Sequence, residues 1–64
     1  MTAIERKRKS VGMSQMALAA RLNVTQGAIS QWEKGATKPS TGNLIRMAEI
    51  FGCTIDELID RKES

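Results

Sequence analysis

The chain has 64 residues, a net charge of +3 and 41% hydrophobic residues, enough for one small core beneath a mildly basic surface. A single cysteine, Cys53, and the absence of histidine exclude an internal disulfide, a cysteine–histidine metal cluster and histidine general-base chemistry. Trp32 and Phe51 are too few aromatics for a base-stacking platform, and no apolar run approaches the ~18 residues of a membrane span.

Helical spacing dominates and no period-2 run of β-branched residues occurs, so the expected fold class is all-α, with five helices. The first covers residues 3–11, with Ile4, Arg8 and Val11 on one face and Gly12 as its stop. Ser14 caps the second, residues 15–22, whose apolar positions are Met16, Leu18, Ala19, Ala20 and Leu22. Asn23 closes it, because asparagine is second only to glycine in accepting left-handed dihedrals, and Val24 points inward under the turn. Thr25 caps the third helix, which runs to Lys34 with Ala28, Ile29 and Trp32 facing inward. Gly35 ends that helix and residues 36–39 form a loop. Ser40 or Thr41 caps the fourth, whose stripe is Leu44, Ile45, Met47, Ala48 and Phe51, with Gly52 as its stop. Thr54 and Glu57 form a capping box that opens a fifth helix with Ile55, Leu58 and Ile59 inside. The methionines and Trp32 are expected as core fillers and Cys53 as a small buried hydrophobe. Residues 60–64 read as a polar tail, and residues 1–64 as one domain.

The second and third helices differ in chemical character. One is small and apolar on one face; the other carries a row of uncharged hydrogen-bonding groups, Thr25, Gln26, Ser30 and Gln31. Amides and hydroxyls along a helix suit base edges, where donor and acceptor geometry matters more than bulk charge. An apolar brace followed by a polar reading helix is how a helix-turn-helix is built.

The segment GMSQMALAARLNVTQGAISQWEKG, followed by Pro39 and the late FGCTIDELI, resembles the Cro/CI-type helix-turn-helix family, the DNA-binding domains of lambdoid phage repressors and their bacterial relatives. Leu18, Ala19, Leu22, Val24, Ile29 and Trp32 match its apolar positions at the expected intervals; Asn23 stands where the family usually has glycine. The resemblance implies a compact five-helix lambda-repressor-like domain with the motif in helices two and three. It also implies that Gln26, Gly27, Ser30 and Gln31 form the base-reading set, a glutamine amide being able to bind adenine N6 and N7 in bidentate fashion. Gln15, Thr25, Ala28, Lys34 and Lys38 are implied phosphate contacts, Gln15 at a helix N-terminus that favours anions. Arg8 and Glu33 match a family pair of structural character, with a cost of about 3–5 kcal/mol if one partner is removed. Gly27 is either drift on an exposed face or a gap that lets the backbone approach the groove or a thymine methyl. The basic residues of the first helix, Arg6, Lys7 and Lys9, read as a solvated face.

The expected function is sequence-specific binding of double-stranded DNA by a transcriptional regulator, a repressor. Two copies would bind a pseudo-palindrome with half-sites roughly 34–36 Å apart, and the resemblance implies that they meet through the region around Phe51 to Leu58. The alternative is an antitoxin or other interaction module that binds a toxin or another regulatory protein, which predicts an exposed apolar patch in place of a polar reading face. No enzyme activity, cofactor, metal or membrane partner is expected, and the expected location is the cytoplasm, in association with the nucleoid.

Overall fold

Among the described residues every α-helix begins at a hydroxyl side chain. A computed structural model describes residues 1–59, and the polar tail expected at 60–64 lies outside the described residues. Thr2 opens α1 (Ala3–Ser10), Ser14 opens α2 (Gln15–Leu22), Thr25 opens α3 (Gln26–Lys34) and Ser40 opens α4 (Thr41–Phe51). Each hydroxyl accepts the N–H three residues on, at 3.4, 3.0, 3.1 and 3.2 Å respectively, and so satisfies a donor that the first helical turn leaves unpaired. The fourth helix is therefore capped by Ser40 and not by Thr41.

The helix ends are equally local. At the end of α2 the Val24 N–H reaches the Ala19 carbonyl at 3.0 Å and the Asn23 N–H reaches Ala20 at 3.3 Å, a closure that requires the left-handed φ of 58° at Asn23. Gly35 closes α3 in the same manner with φ 77°. The first helix stops at Ser10, so Val11 is its C-terminal flanking residue and lies exposed, not on the buried face.

Leu18, Leu22, Ile29 and Met47 are completely buried, each contributing about 1.5–3 kcal/mol by removal from water. Around them pack Ile4, Ala19, Trp32, Ala48, Phe51 and Leu58, so all four helices and the C-terminal segment share one core. Met13, Val24, Ala28, Leu44, Ile55 and Cys53 are half-buried against it, and burial pushes the Cys53 thiol above its ordinary range. Of the methionines only Met47 is a true core residue; Met16 is 67% exposed, and Ala20 is also on the outer side of α2. Ile45 is likewise exposed, so the buried stripe of α4 is narrower than its apolar composition suggests. None of the helices in the described residues is long and apolar enough to cross a membrane.

The fifth expected helix is not formed: among the described residues there are four α-helices and one 3-10 turn, Asp56–Leu58. The capping box itself is present, with the Thr54 N–H on Glu57 Oε2 at 2.9 Å and the Glu57 N–H on Thr54 Oγ1 at 3.2 Å. A 3-10 turn has three residues per revolution, so Ile55 and Leu58 eclipse one another toward the core while Ile59 rotates away. Ile59 is accordingly extended and 44% exposed, not buried. Lys7 Nζ on Glu57 Oε1 at 3.2 Å ties this turn back to α1.

Candidate nucleic-acid interface

Helical periodicity divides α3 into two faces. Ile29 and Trp32 are buried and Ala28 half-buried, whereas Gln26, Gly27 and Gln31 are exposed and Ser30 partly so. At 3.6 residues per turn, Gln26 and Ser30 stack in one column, four residues apart, and Gly27 and Gln31 in the next. The four expected base-reading positions thus form one continuous uncharged strip on the outer side of the helix.

The other side of α3 is held by charge as well as by packing. Arg8 and Glu33 are only 8% and 6% exposed, and the guanidinium grips the carboxylate with two bonds: Nε on Oε2 at 2.6 Å and Nη2 on Oε1 at 3.1 Å. Arg8 Nη1 also donates to the Met13 carbonyl at 2.8 Å, so the arginine pins together α1, the loop before α2, and α3. The bond to Glu33 raises the Arg8 guanidinium further above its ordinary value, against the opposing effect of burial. For Glu33, burial alone pushes upward, but hydrogen bonds from Arg8 and Gln15 outweigh it and hold the carboxyl below the ordinary range. No buried side-chain nitrogen or oxygen among the described residues lacks a partner, so this charged cluster is fully satisfied.

Gln15 lies between that cluster and the uncharged strip of α3. Its Nε2 donates to Glu33 Oε1 at 2.9 Å, and its Oε1 accepts from Gln26 Nε2 at 3.4 Å. The sequence carries no signal for either bond, since the partners lie 18 and 11 residues away on other elements. A second unforeseen contact is Arg46 of α4, which donates to the Leu22 and Arg21 carbonyls at 3.2 and 2.7 Å. It satisfies carbonyls that the end of α2 leaves open, at the turn leading into α3.

The residues expected on phosphates are more scattered. Gln15 and Thr25 stand at the N-terminal ends of α2 and α3, with Thr25 Oγ1 engaged by the Ala28 N–H. Ala28 has its side chain against the core and its N–H on that cap. Lys34 and Lys38 are exposed on either side of the turn after α3. Among the described residues neither has an ion pair, whereas Lys7 is paired with Glu57 and Lys9 with Glu5. Lys34, the last residue of α3, and Lys38, four residues on, are therefore exposed cations without a carboxylate partner among the described residues.

A helix-turn-helix family model matches residues 4–58, from the second residue of α1 through the 3-10 turn. The chain is 36% identical over 56 residues to repressor protein C2 of Salmonella phage P22, covering 88% of this chain and 26% of that protein. It is 35% identical over 60 residues to the transcriptional activator BcrR of Enterococcus faecalis, covering 94% of this chain and 29% of that protein. The chain therefore spans between a quarter and a third of the length of these relatives. Its fold superposes on the P22 c2 repressor, solved in complex with a synthetic operator, with a TM-score of 0.82 at 32% identity over 92% of this chain and 94% of that one. The family pattern, the matched helices and the brace between α1 and α3 agree: the chain belongs to the Cro/CI-type helix-turn-helix family.

Proposed function

We propose that this protein is a sequence-specific double-stranded DNA-binding transcriptional regulator, acting as a repressor with α3 in the major groove. The observation that carries the proposal is the exposed, uncharged strip Gln26, Gly27, Ser30 and Gln31 on a helix whose other side is fixed by core and ion pair. Base discrimination needs such groups held rigidly, because a bidentate amide contact is worth about 1–3 kcal/mol only when its geometry is fixed beforehand. Gln15, the N-terminus of α3 at Thr25 and Ala28, and the cations Lys34 and Lys38 serve the phosphates on either side. The P22 c2 repressor, solved in complex with a synthetic operator, supports double-stranded DNA as the partner of this chain.

One such domain contacts too little DNA for high specificity, so two copies bind a pseudo-palindrome, meeting near Phe51 to Leu58. An antitoxin-like module would present an apolar partner surface on the motif, and the outer strip of α3 is polar. The nucleoid, reached through DNA, is the expected location.

The test is a binding titration against duplexes selected by the protein from a random pool, at two salt concentrations. Specific binding should survive competitor DNA and weaken steeply with salt, as expected for released counterions. Gln26→Ala should lower the affinity for the selected site by about tenfold or more while leaving helicity and the melting temperature unchanged. Equal binding by Gln26→Ala and Gln31→Ala would reject the reading helix.

A further inference from the structure

We propose that Glu33 is a positioning residue for base readout: through Gln15 it sets which end of the Gln26 amide faces the DNA. This inference rests on the DNA-binding function proposed above. It starts from the chain of bonds Arg8 to Glu33, Gln15 to Glu33 and Gln26 to Gln15.

The direction of that chain is chemically compelled. A carboxylate only accepts hydrogen bonds, so the one end of the Gln15 amide able to face Glu33 is its nitrogen. The Gln15 oxygen is then left to meet Gln26, and an oxygen can only accept, so Gln26 must approach with its own nitrogen. One Gln26 amide hydrogen is consumed in this contact. Its oxygen and the second hydrogen stay free, one acceptor beside one donor, the complement of adenine N6 and N7. A chain running the other way would bind the Gln26 oxygen to Gln15 and turn amide donors outward, toward the two acceptors of guanine.

The anchor at the far end has little freedom to reverse. Arg8 holds both carboxylate oxygens and is itself held by the Met13 carbonyl, and Glu33 is 6% exposed. A neutral amide at position 33 removes the compulsion, because it can present either an oxygen or an NH2 group to Gln15. Glu33 therefore has a second role beside bracing α3, and the two roles separate experimentally.

The measurement compares adenine with guanine at the base pair whose preference disappears in Gln26→Ala, within a duplex selected by the wild-type protein. In Glu33→Gln the preference should fall from about tenfold or more to about twofold or less, with affinity for unrelated DNA retained. Ile4→Ala weakens the core without touching the relay and should keep the wild-type preference, so loss of stability alone does not produce the effect. If Glu33→Gln does not fold under assay conditions, Gln15→Leu breaks the relay while sparing the ion pair, and should show the same loss. The side-chain amide resonances of Gln26 in the free protein should move toward those of a solvated glutamine in either variant. A wild-type protein that selects no duplex overturns the DNA-binding function and this role with it. A wild type whose adenine preference survives in the folded Glu33→Gln or Gln15→Leu variant overturns the role of Glu33 alone.

Discussion

Gly27 is the second residue of α3, and nothing in the fold excludes a methyl group there. A Cβ built on it would meet only Thr25 Oγ1, at an ordinary 3.8 Å, and its backbone is helical. Glycine within a helix costs about 0.5–1 kcal/mol relative to alanine, so Gly27→Ala should stabilise the protein by that amount in urea unfolding. If the missing side chain admits the DNA, the same variant should bind its selected site more weakly. A gain in stability with unchanged binding would mark the glycine as drift. Arg8 and Glu33 present the opposite case, in which the residue matters to the fold first. Arg8→Met leaves the Glu33 carboxylate buried without its partner and should cost about 3–5 kcal/mol in the same measurement. The pair was legible in the sequence only through its place in the family pattern. The attachment of Gln15 to the pair was not legible at all, because nothing in one chain's spacing says which surface amide will meet a carboxylate 18 residues away.

At the scale of elements, legibility follows how local the determining contact is. Thr2, Ser14, Thr25 and Ser40 each bond to an amide three residues away, and the closures at Asn23 and Gly35 use carbonyls within the last turn. Helix boundaries were therefore readable to within a residue or so. Asn23→Ala tests one of them: with φ at 58°, alanine should cost about 1–2 kcal/mol relative to a right-handed site, seen as a lower urea midpoint with an unchanged slope. The C-terminal segment shows where local signals run out. Its capping box forms as expected, yet the spacing of Ile55, Leu58 and Ile59 fits an α-helix and a 3-10 turn nearly equally well. Packing of Leu58 under α1 decides for the turn and leaves Ile59 outside. The same limit applies to Met16, Ala20 and Ile45, apolar residues at helical spacing that lie beyond the edge of the contact between helices.

For the molecule as a whole, acid is the condition that most directly tests the brace. Glu33 and Glu57 both have carboxyl groups held below their ordinary value of 4.5, the first against burial by bonds from Arg8 and Gln15, the second by the Thr54 backbone and Lys7. A carboxyl depressed in the folded state binds fewer protons there than in the unfolded chain. Its stabilisation is therefore complete above 4.5 and is lost as pH falls below that value through the folded one. The melting temperature should thus drop across that range, and the drop should be shallower in Glu33→Gln, which starts lower and has no such carboxyl to protonate. A wild-type melting temperature that stays flat down to pH about 3 would contradict the depressed value of the buried glutamate. The amino-acid sequence by itself determined the all-α class, the course of the first four helices to within a residue or so, the caps at Ser14 and Thr25, the turn at Asn23 and the polar row on α3, since each depends on residues within about one helical turn of one another. Only the tertiary structure decided that the last segment is a 3-10 turn, that Arg46 clamps the end of α2, and that Gln15 joins the buried ion pair to Gln26. Those features depend on which helix faces meet across the core, and a one-dimensional pattern of spacings does not contain that information.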